Sequence, residues 1–350
     1  MEVHLIGPYP PPYGGVSVHL FRLQKRLLRA GHKCTVWTQG HSPRGGVVVT
    51  HSLRQLYHEL RKTDRQALLH FHNHHIVAGL LAKTHRRVVF TMHNERVNTD
   101  LFGGRFPRQW AFRLASRRYF RNVPHIIAVS DWVRDEAVKF GFPPAALHVV
   151  CSYLRPEEEE AAHPDNTATI APFREKFRYL ATASAWALQF YKSEDMYGID
   201  LCVEMLGLLK DERPELGLVL VIPQAKGTPY LKTLQDRAET LGVTDRILWL
   251  LEPGAYHPLQ RRCDLFLRPT NTDGFGVTLA EAMEFGVPAI ASDAVHRLEG
   301  CMLFRNRDAT DLARKVNAAL DNLPTLSEQA ERMKEPDHFD EVLAVYESLM

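Results

Sequence analysis

One stretch of the chain gathers residue types that could bind an anion or a set of hydroxyls: Pro269-Thr270-Asn271-Thr272-Asp273-Gly274-Phe275-Gly276-Val277-Thr278-Leu279-Ala280-Glu281-Ala282-Met283. It follows an apolar run, Leu265 to Arg268, that reads as a strand, and its second half has the character of a helix. A glycine-containing turn at a helix N-terminus presents free backbone N–H groups and the positive end of the helix dipole, which suits a phosphate or sugar hydroxyls. Asp273 stands in the loop and Glu281 eight residues later in the helix. Two carboxylates so placed can accept hydrogen bonds from different hydroxyls of one ligand. On spacing alone, plainer roles are favoured: a helix cap for Asp273 and a solvated helical position for Glu281.

Histidines form a second group. His93, in Thr91-Met92-His93-Asn94-Glu95, follows a strand, and strand-end loops are where binding and proton-transfer groups concentrate. A structural and a functional role both stay open for it. His70, His72, His74 and His75 look like a cluster, and alternation puts the first three on one strand face. A metal would need the rings to converge in space, so a polar strand end is the simpler expectation. Five cysteines, at positions 34, 151, 202, 263 and 301, are an odd count without a close pair, which suggests neither a disulfide framework nor a zinc site. No Asp-x-Asp occurs, in keeping with no divalent-metal requirement.

The elements that must hold these residues alternate along the chain. Val3 to Gly7 reads as a buried strand, Pro8 to Gly15 as a loop, Val16 to Ala30 as a helix and Lys33 to Thr38 as a strand. The order repeats through Leu68 to His72, Arg87 to Thr91, a helical stretch to Arg121, and Ile126 to Ser130 with a helix from Asp131. It breaks at Tyr153, where four glutamates (157–160) and a Pro/Asn/Thr stretch read as an exposed linker, and then resumes. A chain of 350 residues fits two domains. The expected division is residues 1–155, a linker 156–174, a second domain 175–336, and a last amphipathic helix, 337–350, packing back on the first domain. Both domains are α/β, doubly wound around parallel sheets, and tandem domains of this kind predict a cleft where the C-terminal strand ends face each other.

Charge divides the chain the same way. Residues 1–150 carry 22 basic against 8 acidic residues and 14 of the 18 histidines, so the formal charge is +14 there and −12 in the remainder. A basic half should prefer an anionic partner. Apolar residues at 45% and charged residues at 24% exclude disorder and coiled coil as the main reading. The longest apolar runs, such as Leu216 to Pro223, fall well short of the roughly 20 residues that span a bilayer. The first residues lack a basic region and a long apolar run, so a cytoplasmic protein is expected.

Asp273-Gly274-Phe275-Gly276, Glu281-Ala282-Met283 and Gly286-Val287-Pro288-Ala289-Ile290-Ala291-Ser292 together resemble the Glu-x7-Glu signature of the GT-B glycosyltransferases of family 4. Gly14-Gly15-Val16-Ser17 resembles that family's N-terminal glycine loop. Ala128-Val129-Ser130-Asp131-Trp132-Val133 resembles the last motif of its first domain, and Tyr197-Gly198-Ile199-Asp200 an element of its nucleotide domain. The resemblance covers essentially the whole chain and implies a GT-B fold, two Rossmann-like doubly wound domains facing a central cleft. It further implies transfer of a sugar, with retention, from a nucleotide-sugar donor, UDP-sugar favoured, to a carbohydrate, lipid-linked or small-molecule acceptor, with no cofactor. A catalytically weak binding or scaffold subunit of a glycosylation complex is the alternative.

Carried over by position, the resemblance assigns Glu281 to the ribose hydroxyls and Asp273, one methylene shorter than the family's glutamate, to the neighbourhood of the anomeric carbon. Gly274, Phe275 and Gly276 would offer amides to the sugar, and Val277 and Thr278 to the diphosphate. Gly14 and Gly15 would let backbone approach the donor from the other domain, with His93 beside the transferred sugar. Two departures concern the diphosphate. Tyr197 stands where the family has a lysine, and Ala183-Ser184-Ala185-Trp186 replaces a region with an arginine, followed by an insertion, Ala187 to Met196. Lys192 and Lys226 are the candidates for the missing charge. The segment from Arg105 to Arg121 mixes six arginines with five aromatics. It could lie on an anionic membrane surface, placing the protein peripherally on the inner leaflet, or pack its aromatics on the sheet. No nucleic-acid recognition module accompanies the basic half, so no nucleic-acid partner is expected.

Overall fold

The computed structural model describes residues 1–39, 45–94, 114 and 117–350. They form two compact units, Met1–Arg155 with Asp337–Met350, and Pro156–Pro336. Most of the Arg105 to Arg121 segment lies outside the described residues, as does Glu95. Among the described residues no helix is long and apolar enough to cross a membrane.

The first unit is built on β1 (Glu2–Ile6), β2 (Lys33–Gln39), β3 (Val47–Thr50), β4 (Leu68–Phe71), β5 (Val88–Met92), β6 (His125–Ala128) and β7 (Leu147–Val149). Their order is β3-β2-β1-β4-β5-β6-β7, and all pairs are parallel. A parallel sheet with helices on both faces buries its strands on both sides, hence the unbroken burial of β4 and β5. The sheet grows outward in opposite directions from β1 and β4. The loops leaving these two strands therefore diverge and open a crevice at their C-terminal ends. The glycine loop follows β1, and His72 follows β4.

The C-terminal helix Phe339–Glu347 belongs to this unit. Its Val342, Val345 and Tyr346 are buried with Val3, Leu5, Leu20 and Leu68. Asp337 just before it accepts the Arg155 backbone N–H at 2.9 Å and pairs with Arg26 at 3.0 Å.

The second unit contains β8 (Tyr179–Ser184), β9 (Phe190–Tyr191), β10 (Glu194–Asp195), β11 (Leu216–Val221), β12 (Ile247–Leu250), β13 (Leu265–Arg268), β14 (Ala289–Ser292) and β15 (Met302–Phe304). Its main sheet has the order β12-β11-β8-β13-β14-β15, again all parallel. The direction of growth reverses between β8 and β13. The insertion after β8 contains the small antiparallel hairpin β9–β10.

The expected linker is not one. Pro156 onward belongs to the second unit, and Pro164–Lys176 is a helix. Ile170, Phe173 and Phe177 recur at helical spacing and pack on Val219, Val221 and Leu250. Proline in the first turn and the abundance of short polar residues disguised this periodicity. Glu157 and Glu160 are buried rather than solvated, the Glu160 carboxylate accepting the Glu157 N–H at 2.7 Å.

Gly198 joins two loops of this unit. It caps the helix Ile199–Leu208 with φ +66°, and a Cβ on it would lie 2.3 Å from the Pro269 carbonyl oxygen, just past β13. Gly198→Ala is therefore expected to destabilise the second unit by about 1–3 kcal/mol, through the strained backbone and the clash together. An unchanged thermal midpoint in that variant would contradict this packing.

Candidate functional site

In a doubly wound sheet, ligands bind beyond the strand C-termini where the winding reverses. In the second unit that point lies between β8 and β13. Past β13 the chain runs through Pro269–Gly276 into the helix Val277–Glu284, whose cap is Gly276 at φ +81° rather than Asp273. A Cβ at Gly276 would approach Leu279 to 3.0 Å and the Asp273 carboxylate to 3.3 Å, so glycine keeps this helix entrance clear. The amides of Val277 and Thr278 are among the first of the helix and have no intrahelical acceptor.

Asp273 is the anchor of an ion network. Its Oδ2 accepts from Arg268 Nε at 2.8 Å and from Arg297 Nη1 at 2.9 Å, and its Oδ1 accepts the Gly274 N–H at 3.1 Å. Burial alone would raise the pKa of this carboxyl. The charges of Arg268 and Arg297 and their hydrogen bonds outweigh it and hold the group well below the usual carboxylate range. Arg297 is fully engaged: it also donates to the Ser292 carbonyl at 2.9 Å, Ser292 Oγ at 2.9 Å and Thr270 Oγ1 at 2.9 Å. Among the described residues Arg268 commits only Nε to a hydrogen bond, while its guanidinium lies over the Tyr197 ring at 6.0 Å.

Glu281 is 4% exposed, so it is not the solvated helical residue that spacing alone favours. Close to it in sequence, Thr278 Oγ1 is buried and has no hydrogen-bond partner among the described residues. Gln260, fully buried, donates to the Thr278 carbonyl at 2.9 Å. Of the residues assigned from sequence, Asp273, Gly274, Phe275, Gly276, Val277, Thr278 and Glu281 are thus brought together on one loop and helix. The Gly274 amide, however, is already given to Asp273. Lys226 pairs with Glu252 at 3.3 Å beside edge strand β12, with β11 and β8 between it and β13. Lys192 is exposed at the tip of the hairpin, its ammonium 5.2 Å from the Tyr191 ring centre.

Arg268, Arg297 and Gln260 escaped the sequence reading. Only Arg268 left a signal there, a charge ending the otherwise apolar run Leu265-Phe266-Leu267.

In the first unit, Gly14 caps the helix Gly15–Arg29, and its N–H is taken by Ser17 Oγ at 2.9 Å. A Cβ on Gly15 would meet nothing within 4 Å, so the described packing of the chain does not itself demand glycine there. Beyond β4 and β5, His93 Nε2 and His72 Nδ1 share a hydrogen bond of 2.8 Å, and His19 packs against both rings. His70 bonds Tyr346 Oη at 2.5 Å and Thr91 Oγ1 at 2.6 Å. The strand ends at Phe71, so alternation does not reach His74, which caps the next helix, and His75 stacks on Phe90 and meets Phe120 edge to face.

Burial lowers His19 to about 4 and His70, His72 and His93 well below their ordinary value. With folded values depressed, the unfolded chain binds more protons below about pH 6.5. Stability is whole above that pH and is lost as pH falls toward 4. The thermal midpoint is therefore expected to be lower at pH 5 than at pH 7.5, and a flat profile would contradict a neutral histidine cluster.

Residues 13–158 match the family described as Glycosyltransferase Family 4, and residues 187–336 match Glycosyl transferases group 1. The chain is similar to the lipopolysaccharide core biosynthesis mannosyltransferase LpsB of Rhizobium meliloti, 38% identical over 27% of this chain and 28% of that protein. It is also similar to the phosphatidylinositol N-acetylglucosaminyltransferase gpi3 subunit of Schizosaccharomyces pombe, 24% identical over 81% of this chain and 64% of that one. The chain thus spans less than two thirds of the length of these two relatives. Among solved structures, Anabaena HepE in complex with UDP and glucose aligns with a TM-score of 0.77 at 17% identity, covering 100% of both chains. WaaG, a glycosyltransferase involved in lipopolysaccharide biosynthesis, aligns at 0.73 and 15% identity, covering 99% of each.

Proposed function

The chain belongs to glycosyltransferase family 4 and has the GT-B fold, and from that premise we propose that it transfers a sugar from a nucleoside diphosphate donor to a glycan, lipid-linked or small-molecule acceptor. The observation that carries this reading is the entrance of the helix Val277–Glu284 at the β8–β13 reversal. Unbonded first-turn amides and a buried glutamate stand together there. Val277 and Thr278 would hold the diphosphate, and Glu281 would accept from the ribose hydroxyls. The amides of Phe275 and Gly276 would orient the sugar. Charge developing on the departing diphosphate meets dipoles already aimed at it, which lowers the barrier without reorganisation at the moment of reaction.

UDP is the favoured nucleotide, a choice supported by the UDP named in the HepE complex. Surface glycans or glycolipids are the favoured acceptors, supported by relatives named for lipopolysaccharide and phosphatidylinositol substrates. Retention of configuration follows from the family resemblance, and independence of divalent metal from that resemblance and the lack of any Asp-x-Asp.

A second reading, a weakly active binding subunit, is favoured by the ion pairing of Asp273 and by Tyr197 in place of a lysine. The test is a panel of UDP-, GDP-, ADP- and dTDP-sugars, scored for hydrolysis and transfer with and without EDTA. Proton NMR of the product would give its anomeric configuration. Turnover that survives EDTA with retained configuration is expected. Nucleotide binding without turnover from any donor would favour the second reading.

A further inference from the structure

Arg268 is a cation placed between two helix entrances. It ends β13, at the reversal where β13 pairs with β8, with Leu267 opposite Ala183. Nε is pinned to Asp273 in the loop that leads to the helix Val277–Glu284. The guanidinium carbon lies over the ring of Tyr197, the residue before the Gly198 cap of the helix Ile199–Leu208. Its side chain is 14% exposed, against 1% for Arg297. Arginine carries five N–H donors, and here four of them, on the two Nη atoms, make no hydrogen bond among the described residues. Arg297 spends its donors on Asp273, Ser292 and Thr270, so it fixes the carboxylate that in turn aims Arg268.

We propose that Arg268 is the cation that receives the charge of the departing diphosphate, in the place left empty by Tyr197, with Asp273 as its anchor rather than a contact of the sugar. The inference rests on the donor reading given above. In the transfer, the bond between the anomeric carbon and the diphosphate oxygen breaks and its electron pair stays on that oxygen. The acceptor hydroxyl oxygen bonds to the same carbon and releases its proton, which the freed diphosphate can take. Arg268 forms no covalent bond. Its Nη donors stabilise the negative charge, and the Tyr197 ring supports the guanidinium as an aromatic face supports a cation. A lysine at position 197 and an arginine at position 268 are then alternative ways to bring one charge to one place.

The test is calorimetric binding of UDP, GDP, uridine and guanosine to the full chain, with the donor panel for turnover. Arg268→Leu is expected to weaken diphosphate binding by about tenfold to a hundredfold, the worth of one charge-assisted hydrogen bond, with nucleoside binding within about twofold. Turnover should fall by about a hundredfold or more, as on removal of an oxyanion donor. The double variant Arg268→Leu with Tyr197→Lys should regain diphosphate affinity and turnover, and Arg268→Lys should keep most of both. Unchanged diphosphate binding in Arg268→Leu, equal loss for nucleoside and diphosphate, or no recovery in the double variant would overturn the inference and leave the donor reading standing. Failure of the wild-type chain to bind either nucleoside diphosphate would overturn the donor reading and this inference with it.

Discussion

Alanine at position 281 is expected to weaken UDP-sugar binding and to lower kcat/KM by about a hundredfold or more. The carboxylate of Glu281 is buried, in the second turn of the helix whose first amides are assigned to the diphosphate. Each charge-assisted hydrogen bond it gives up is worth about 1.5–3 kcal/mol, and every 1.4 kcal/mol is tenfold in affinity. Two ribose hydroxyls held by one carboxylate therefore make the loss large. Because such contacts exist before and during reaction alike, the change should fall mainly on KM. Glu281→Gln keeps one acceptor oxygen and should lose about tenfold. Full donor affinity in Glu281→Ala would remove this residue from the site.

The second large effect is on stability. Asp273→Ala leaves Arg268 and Arg297 facing each other without a counter-charge, and breaking a buried ion pair by deleting one partner costs about 3–5 kcal/mol. For a unit of this size that corresponds to a fall of about 10 °C in the thermal midpoint. Asp273→Asn keeps an acceptor oxygen and should lose less. The carboxyl is held below the usual range, so its contribution is present at all pH values above its ordinary pKa and is lost only in acid. Between pH 5 and 8 this network should be silent, in contrast to the histidine cluster. An Asp273→Ala chain that melts with the wild type but transfers no sugar would assign the carboxylate to the reaction instead.

Much of the second unit's site was legible because its chemistry is local. The strand Leu265–Arg268, the glycines at 274 and 276 and the following helix lie within twenty consecutive residues, and local spacing reports local geometry. What spacing does not report is burial. Glu281 reads as solvated on spacing alone, yet it is buried along with its neighbours Ala280, Ala282 and Met283. The role of Asp273 depends on Arg297, twenty-four residues downstream, a contact set by the β14 to β15 connection rather than by any motif. In sequence Tyr197 reads as a missing charge, and its meaning appears only when β13 pairs with β8 and brings Arg268 over the ring. The helix Pro164–Lys176 is hidden by its composition, because Ile170, Phe173 and the following Phe177 suffice to seat a short helix whose other positions are small or polar. Short strands such as β3, β7 and β15 leave no sequence signal, because three or four residues carry too little periodicity to be told from a loop.

The placement of the donor decides the rest, and a crystal structure of the chain soaked with UDP measures it directly. The expected density has the diphosphate on the amides of Val277 and Thr278, an Arg268 Nη group against its oxygens, and the ribose hydroxyls on Glu281. UDP lying away from the β8–β13 reversal, or with its ribose turned from Glu281, would contradict the assignment.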